Sequence, residues 1–94
     1  MPSLHEKKCR EFFDFYNVDS EHSLHAYELQ EILQSLIRKE FTIENVQAMI
    51  AEYEKGGSSE IFLEDYLTVM AVLYENYADE WKDPETVHIA WDKI

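Results

Sequence analysis

The sequence predicts an all-α fold, and three observations carry that prediction. Several stretches repeat apolar residues at i, i+3, i+4 and i+7, the period of one helical face. The 94 residues include only 2 Gly and 2 Pro, so little interrupts a helix. Apolar residues make up 46% of the chain, enough to build one core and, at this length, one domain.

The first helix is expected to start at Ser3. Ser3 and Glu6 have the S-x-x-E spacing of a capping box, in which each side chain satisfies a backbone N–H of the other. Cys9, Phe12, Phe13 and Tyr16 then share a face. Asn17 to Ser23 is polar and breaks the period, so it reads as a loop. The second helix carries Leu29, Ile32, Leu33, Leu36 and Ile37 on one face. It is expected to end near Arg38-Lys39, two cations suited to the negative end of a helix dipole.

Thr42 is an N-cap residue type and opens the third helix, with Phe41 and Val46 at hydrophobic-staple positions. That helix faces inward with Ile43, Val46, Ile50 and Tyr53, and Met49 lies beside them. Lys55-Gly56-Gly57-Ser58-Ser59 is a second loop. The fourth helix presents Tyr66, Leu67, Met70, Leu73, Tyr74 and Tyr77. Asp83-Pro84-Glu85 combines an N-cap, a proline at the first helical position and an acid in the first turn, so a fifth helix is expected there. Its face is Val87, Ala90, Trp91 and Ile94. An apolar face at this point suggests packing that continues in a longer polypeptide or against a partner.

Charge narrows the function classes. The formal net charge is −12, and phosphate binding needs clustered Lys and Arg, so nucleic acid is not an expected partner. The charge also disfavours an anionic membrane surface, and no apolar run is long enough to span a bilayer. Residues 40–94 carry 13 acidic and 3 basic side chains, making them the expected face for a cationic partner. With 1 Cys no internal disulfide can form, and the N-terminus lacks an apolar signal region, so a cytoplasmic location is expected.

Helix, polar loop, helix occurs twice, and the two copies align at a fixed offset. Leu24 corresponds to Ile61, Glu28 to Asp65, and Tyr16 to Tyr53. On these residues the chain resembles the EF-hand family, whose 12-residue calcium loop places oxygen ligands at positions 1, 3, 5, 7, 9 and 12, with Gly at 6. The resemblance implies a first loop with Asn17 at 1, Asp19 at 3, Glu21 at 5, Ser23 at 7 through its carbonyl, His25 at 9 through water, and Glu28 at 12. Leu24 and Ile61 take the apolar eighth positions, which implies a short antiparallel strand pair between the loops.

The ligand sets depart from the family. His22 stands where the turn favours Gly and a positive φ. Asn17 lacks the charge of an Asp. In the second loop Gly56 offers no ligand, Glu54 is long for position 1, and Asp65 is short for bidentate contact. Calcium is therefore expected to be weak at the first loop and lost at the second.

The implied architecture is a paired EF-hand lobe over residues 1–78, followed by a linker and the entering helix of a third hand over 79–94. The pattern is similar to calmodulin-like light chains and to calpain-type penta-EF-hand domains. The expected function is a non-enzymatic regulatory module that binds a basic amphipathic partner helix, with Phe15, Met49, Met70 and Trp91 as partner contacts. Two alternatives stand beside it: a calcium sensor or buffer using residues 17–28, and a regulatory portion of a larger calpain-like protein that mediates oligomerisation. A homo-oligomer is compatible with the last.

Other chemistry has less to recommend it. His22 and His25 near Asp19 and Glu21 have the makings of a zinc site, but read more simply as surface loop histidines. Cys9 lies on an apolar face and reads as a buried, inert thiol. The sequence has no phosphate-loop, nucleophile-elbow or zinc-protease motif, and nothing in it points to an enzyme.

Overall fold

Among the residues described by the computed structural model, 2–17, 22–54 and 56–87, the chain is mostly helical with one small sheet. The order is α1 (Ser3–Tyr16), β1 (Ser23–Leu24), α2 (Ala26–Leu36), α3 (Ile43–Tyr53), β2 (Ile61–Phe62) and α4 (Leu63–Tyr77), then a 3-10 turn at Ala78–Glu80. The two strands pair antiparallel with Leu24 opposite Ile61, the pairing that the resemblance implied. Both residues are fully buried beneath the loops. Where the fifth helix was expected to open, at Asp83-Pro84-Glu85, the described residues form a turn over 84–86, and the rest of its face, Ala90, Trp91 and Ile94, lies outside the described residues.

Local chemistry explains the boundaries. At α3, Thr42 Oγ1 accepts from the Asn45 N–H at 3.1 Å, and Asn45 Oδ1 accepts from the Thr42 N–H at 3.2 Å. Phe41 and Val46, on either side, are both buried, as a hydrophobic staple requires. The box expected at Ser3 does not form. Pro2 is the N-cap, extended at φ −59° and ψ 148°, so Ser3 is already helical and its hydroxyl is not placed to cap. Glu6 instead faces Arg10 at 3.9 Å. The second helix stops at Leu36, before Arg38-Lys39. Ile37 turns extended at φ −126° and ψ 135° because it pairs with Trp81, a partner far along the chain.

The helices pack as α2 on α3 and α1 on α4, around one buried cluster. Tyr66 is its largest fully buried member. Its hydroxyl donates to the Cys9 carbonyl at 2.6 Å, and its ring meets Phe13 at 5.1 Å, so α4 is tied to α1 by both a polar and an aromatic contact. Burial, with Glu6 adding to it, pushes the Cys9 thiol up to about 12, so at neutral pH it stays a protonated core group.

The packing continues beyond residue 78. Trp81 and Val87 belong to the same buried cluster as the helices, and Pro84 is buried with them. The Trp81 indole donates to the Leu73 carbonyl at 3.2 Å and lies edge-on to Tyr74 at 5.5 Å and to His5 at 5.8 Å.

His5 is partly buried in this aromatic corner, and its Nδ1 has no hydrogen-bond partner. Burial lowers its pKa below 6.5. The N-terminal amine lowers it further, and Asp83 opposes both. The folded chain therefore binds this proton less readily than the unfolded chain. The resulting stability is complete above about pH 6.5 and is lost as pH falls toward the lower folded value. Thermal melts at pH 7.5 and 5.5 are expected to show a larger acid loss for the natural chain than for His5→Phe. Equal losses would refute this.

Candidate functional site

The sheet brings the two loops side by side, and the chain's own polar groups hold each of them. Asn17 follows α1 directly, and its Oδ1 accepts from the His22 N–H at 3.0 Å. That bond links the residues on either side of 18–21. His22 adopts φ 62°, the left-handed conformation anticipated at the place where Gly is favoured. A β-carbon there costs on the order of 1–2 kcal/mol relative to the right-handed region, and the loop accepts it.

The other described residues of the first loop are also engaged. Ser23 is buried, and its hydroxyl donates to Glu60 Oε1, across the sheet, at 2.7 Å. His25 Nε2 lies 3.5 Å from the same carboxylate oxygen. Glu28 Oε1 accepts from the His25 N–H at 2.9 Å, which caps α2. Asp19 and Glu21 lie outside the described residues.

Glu54 fills the second loop. Its Oε1 accepts from the Gly56 N–H at 3.0 Å and its Oε2 from the Ser58 N–H at 2.6 Å. One carboxylate thus gathers two loop amides, and a β-carbon on Gly56 would sit 3.1 Å from Glu54 Oε1. Gly57, at φ 77°, completes the turn. Both Glu54 oxygens thus accept from backbone amides of the loop. Replacing Glu54 by Ala is expected to cost about 1–2 kcal/mol, since two amides lose a charged acceptor. Amide exchange at Gly56 and Ser58 should quicken while His22 is unaffected. Unchanged protection at those two amides would count against the carboxylate's role.

A position-1 Asp has one oxygen for the turn amide and one for a cation. Asn17 has a single oxygen, which accepts from the His22 N–H, and its Nδ2 is buried without a partner. An amide N–H is a donor and does not ligate a cation. Among the described residues no three His, Cys, Asp or Glu side chains are grouped to hold a metal.

The expected partner contacts are dispersed. Met70 is completely buried in the core and offers nothing to a partner in this conformation, because α1 and α3 pack against α4. Phe15 is partly buried against the core and meets Tyr16 edge-on at 5.4 Å, rather than standing exposed. Met49 is partly exposed in a shallow cleft with Phe41, Tyr53, Leu73 and Tyr77. Trp91 lies outside the described residues.

Sequence reasoning did not single out Tyr27 and Phe62, which are the exposed large apolar side chains nearest the sheet. Tyr27 stacks on His25 at 5.7 Å, beside an open cleft of about 530 Å³ between the start of α2, α3 and the second loop. Their only signal was an apolar residue off the periodic face. Among the described residues no helix is long and apolar enough to cross a membrane.

No protein-family model matches the chain, and no curated protein matches it as a relative.

Proposed function

We propose that this chain is a non-enzymatic EF-hand-like lobe that binds a basic amphipathic partner helix and holds one closed conformation without a calcium signal. The observation that carries the reading is the state of the loops. The Leu24–Ile61 pair joins them, and protein groups supply the closing bonds: Asn17 to His22, Ser23 to Glu60, and Glu54 to Gly56 and Ser58. Charge supports the class of partner, since residues 40–94 hold 13 of the chain's 20 acids. Met49 and the aromatic residues around its cleft are the apolar surface such a helix would meet.

The test is an amide NMR titration with calcium, starting in chelator, on the natural chain and on Asn17→Asp. The natural chain should show little movement from His22 to Glu28 at a few millimolar calcium. Asn17→Asp adds the missing oxygen and should shift those amides at lower calcium. Saturable micromolar shifts in the natural chain would replace this reading with a calcium sensor or buffer. A Leu/Lys amphipathic peptide should bind in chelator, and failure to bind with or without calcium would remove the partner-helix proposal.

A further inference from the structure

Two hollows of about 180 and 380 Å³ share Phe41, Met49, Glu52 and Tyr77, and so form one continuous groove between α3 and α4. The smaller reaches Val69 and Leu73 on α4, and the larger reaches Lys39, just after the end of α2. The floor is apolar, with Phe41 buried and Met49 and Tyr77 half-buried. Glu52 is exposed at the rim and makes no ion pair among the described residues.

Among the described residues Lys39 is the one base that lines this groove. Its Nζ stands over the Tyr77 ring, 5.1 Å from the centroid. The negative face of an aromatic ring attracts a cation at that distance. The chain has 20 acids, yet among the described residues no carboxylate lies within ion-pair distance of Lys39. Both partners of the contact are held from outside it. The Arg38 N–H donates to the Glu80 carbonyl at 2.8 Å, which anchors the backbone beside Lys39. Phe41 meets Tyr77 edge-on at 6.0 Å, which supports the ring. The groove proposed above for a basic helix therefore already holds one cation, supplied by the chain itself.

We propose that the Tyr77 ring is the cation subsite of this groove, that Lys39 fills it in the free chain, and that a lysine or arginine of the partner helix displaces Lys39 on binding. This rests on the partner-helix reading and names the residue that reads the partner's charge. Displacing Lys39 costs the chain its own contact, so Lys39 lowers the affinity of any helix that enters. A helix that brings its own cation restores the contact to the ring, with Glu52 beside it as an unpaired carboxylate. Lys39 is in this sense a built-in competitor that sets the threshold for a partner.

The probe is the Leu/Lys amphipathic peptide, titrated in chelator into the natural chain and into Lys39→Gln. In the free natural chain the Tyr77 ring current should move the Lys39 ε-methylene protons upfield. Saturating peptide should return them to the ordinary lysine position. Lys39→Gln should bind the peptide about two- to fivefold more tightly, the fold-change equivalent to one exposed cation–π contact. Removing a positive charge would by itself favour a basic peptide, so both chains are also tested with Tyr77→Leu added. The gain should then shrink, because the exchange has no ring to act on.

Peptide that saturates the natural chain while the Lys39 ε-methylene protons stay upfield overturns the proposal, and this measurement needs no variant to fold. A gain from Lys39→Gln that persists in full beside Tyr77→Leu overturns it as well, leaving simple charge removal. Binding that is indifferent to Lys39→Gln removes this inference alone. Failure of the peptide to bind either chain removes the partner-helix reading and this inference with it.

Discussion

Tyr66→Ala is expected to cost about 3–5 kcal/mol, the range for deleting a large buried aromatic. Roughly 5–14 kcal/mol is the whole stability expected of a domain of this length. The size of the effect follows from position. Tyr66 is fully buried, its ring packs on Phe13, and its hydroxyl is the buried bond from α4 to the Cys9 carbonyl of α1. Burial also raises its pKa well above 10.0, so the group remains a donor throughout the working pH range. Tyr66→Phe separates the two contributions. It keeps the ring and should cost about 1 kcal/mol, the net worth of one hydrogen bond. Urea titration of both variants checks the pair. A Tyr66→Ala midpoint close to that of the natural chain would show that the α1–α4 contact is not central to the fold.

The second large effect is at the sheet. Leu24→Ala and Ile61→Ala are each expected to cost about 2–5 kcal/mol, because both side chains are fully buried. They are direct cross-strand partners, so the double variant should lose less than the sum of the two. A coupling of about 0.5–3 kcal/mol is expected for residues in contact. Strict additivity in a double-mutant cycle would mean that the two loops are stabilised separately. The same cycle bears on the loops' polar bonds, since Ser23, next to Leu24, reaches Glu60, next to Ile61. Loss of the strand pair should therefore release the Ser23–Glu60 bond as well.

Several features of the loops were legible in the sequence because they depend on register. The EF-hand resemblance implied the pairing of Leu24 with Ile61, and its loop numbering, counted back from Glu28, put His22 at the turn that favours a positive φ. The closing bonds were less legible. Glu54 was read as a ligand too long for its position. In the structure that same length lets its carboxylate fold back onto Gly56 and Ser58. Asn17 was read as an Asp lacking a charge. Its more consequential lack is a second oxygen, which becomes apparent only once the first is seen bonded to His22. Met70 shares a helical period with core residues, and periodicity alone does not separate a core methionine from a groove methionine.

What the sequence determined by itself was therefore local and periodic. It set which faces of the four helices turn inward, the Thr42 cap with its Phe41–Val46 staple, the two polar loops and the Leu24–Ile61 register. Each of these depends on residues close in the chain or on a repeat. The tertiary structure alone decided where α2 ends and what residues 79–87 do. Ile37 leaves the helical path to pair with Trp81, and Trp81 finds its pocket between His5 and Tyr74. Those contacts join the start, the middle and the far end of the chain. They form because burying an indole and pairing its neighbouring amides outweighs the small local preference for one more helical turn at Ile37.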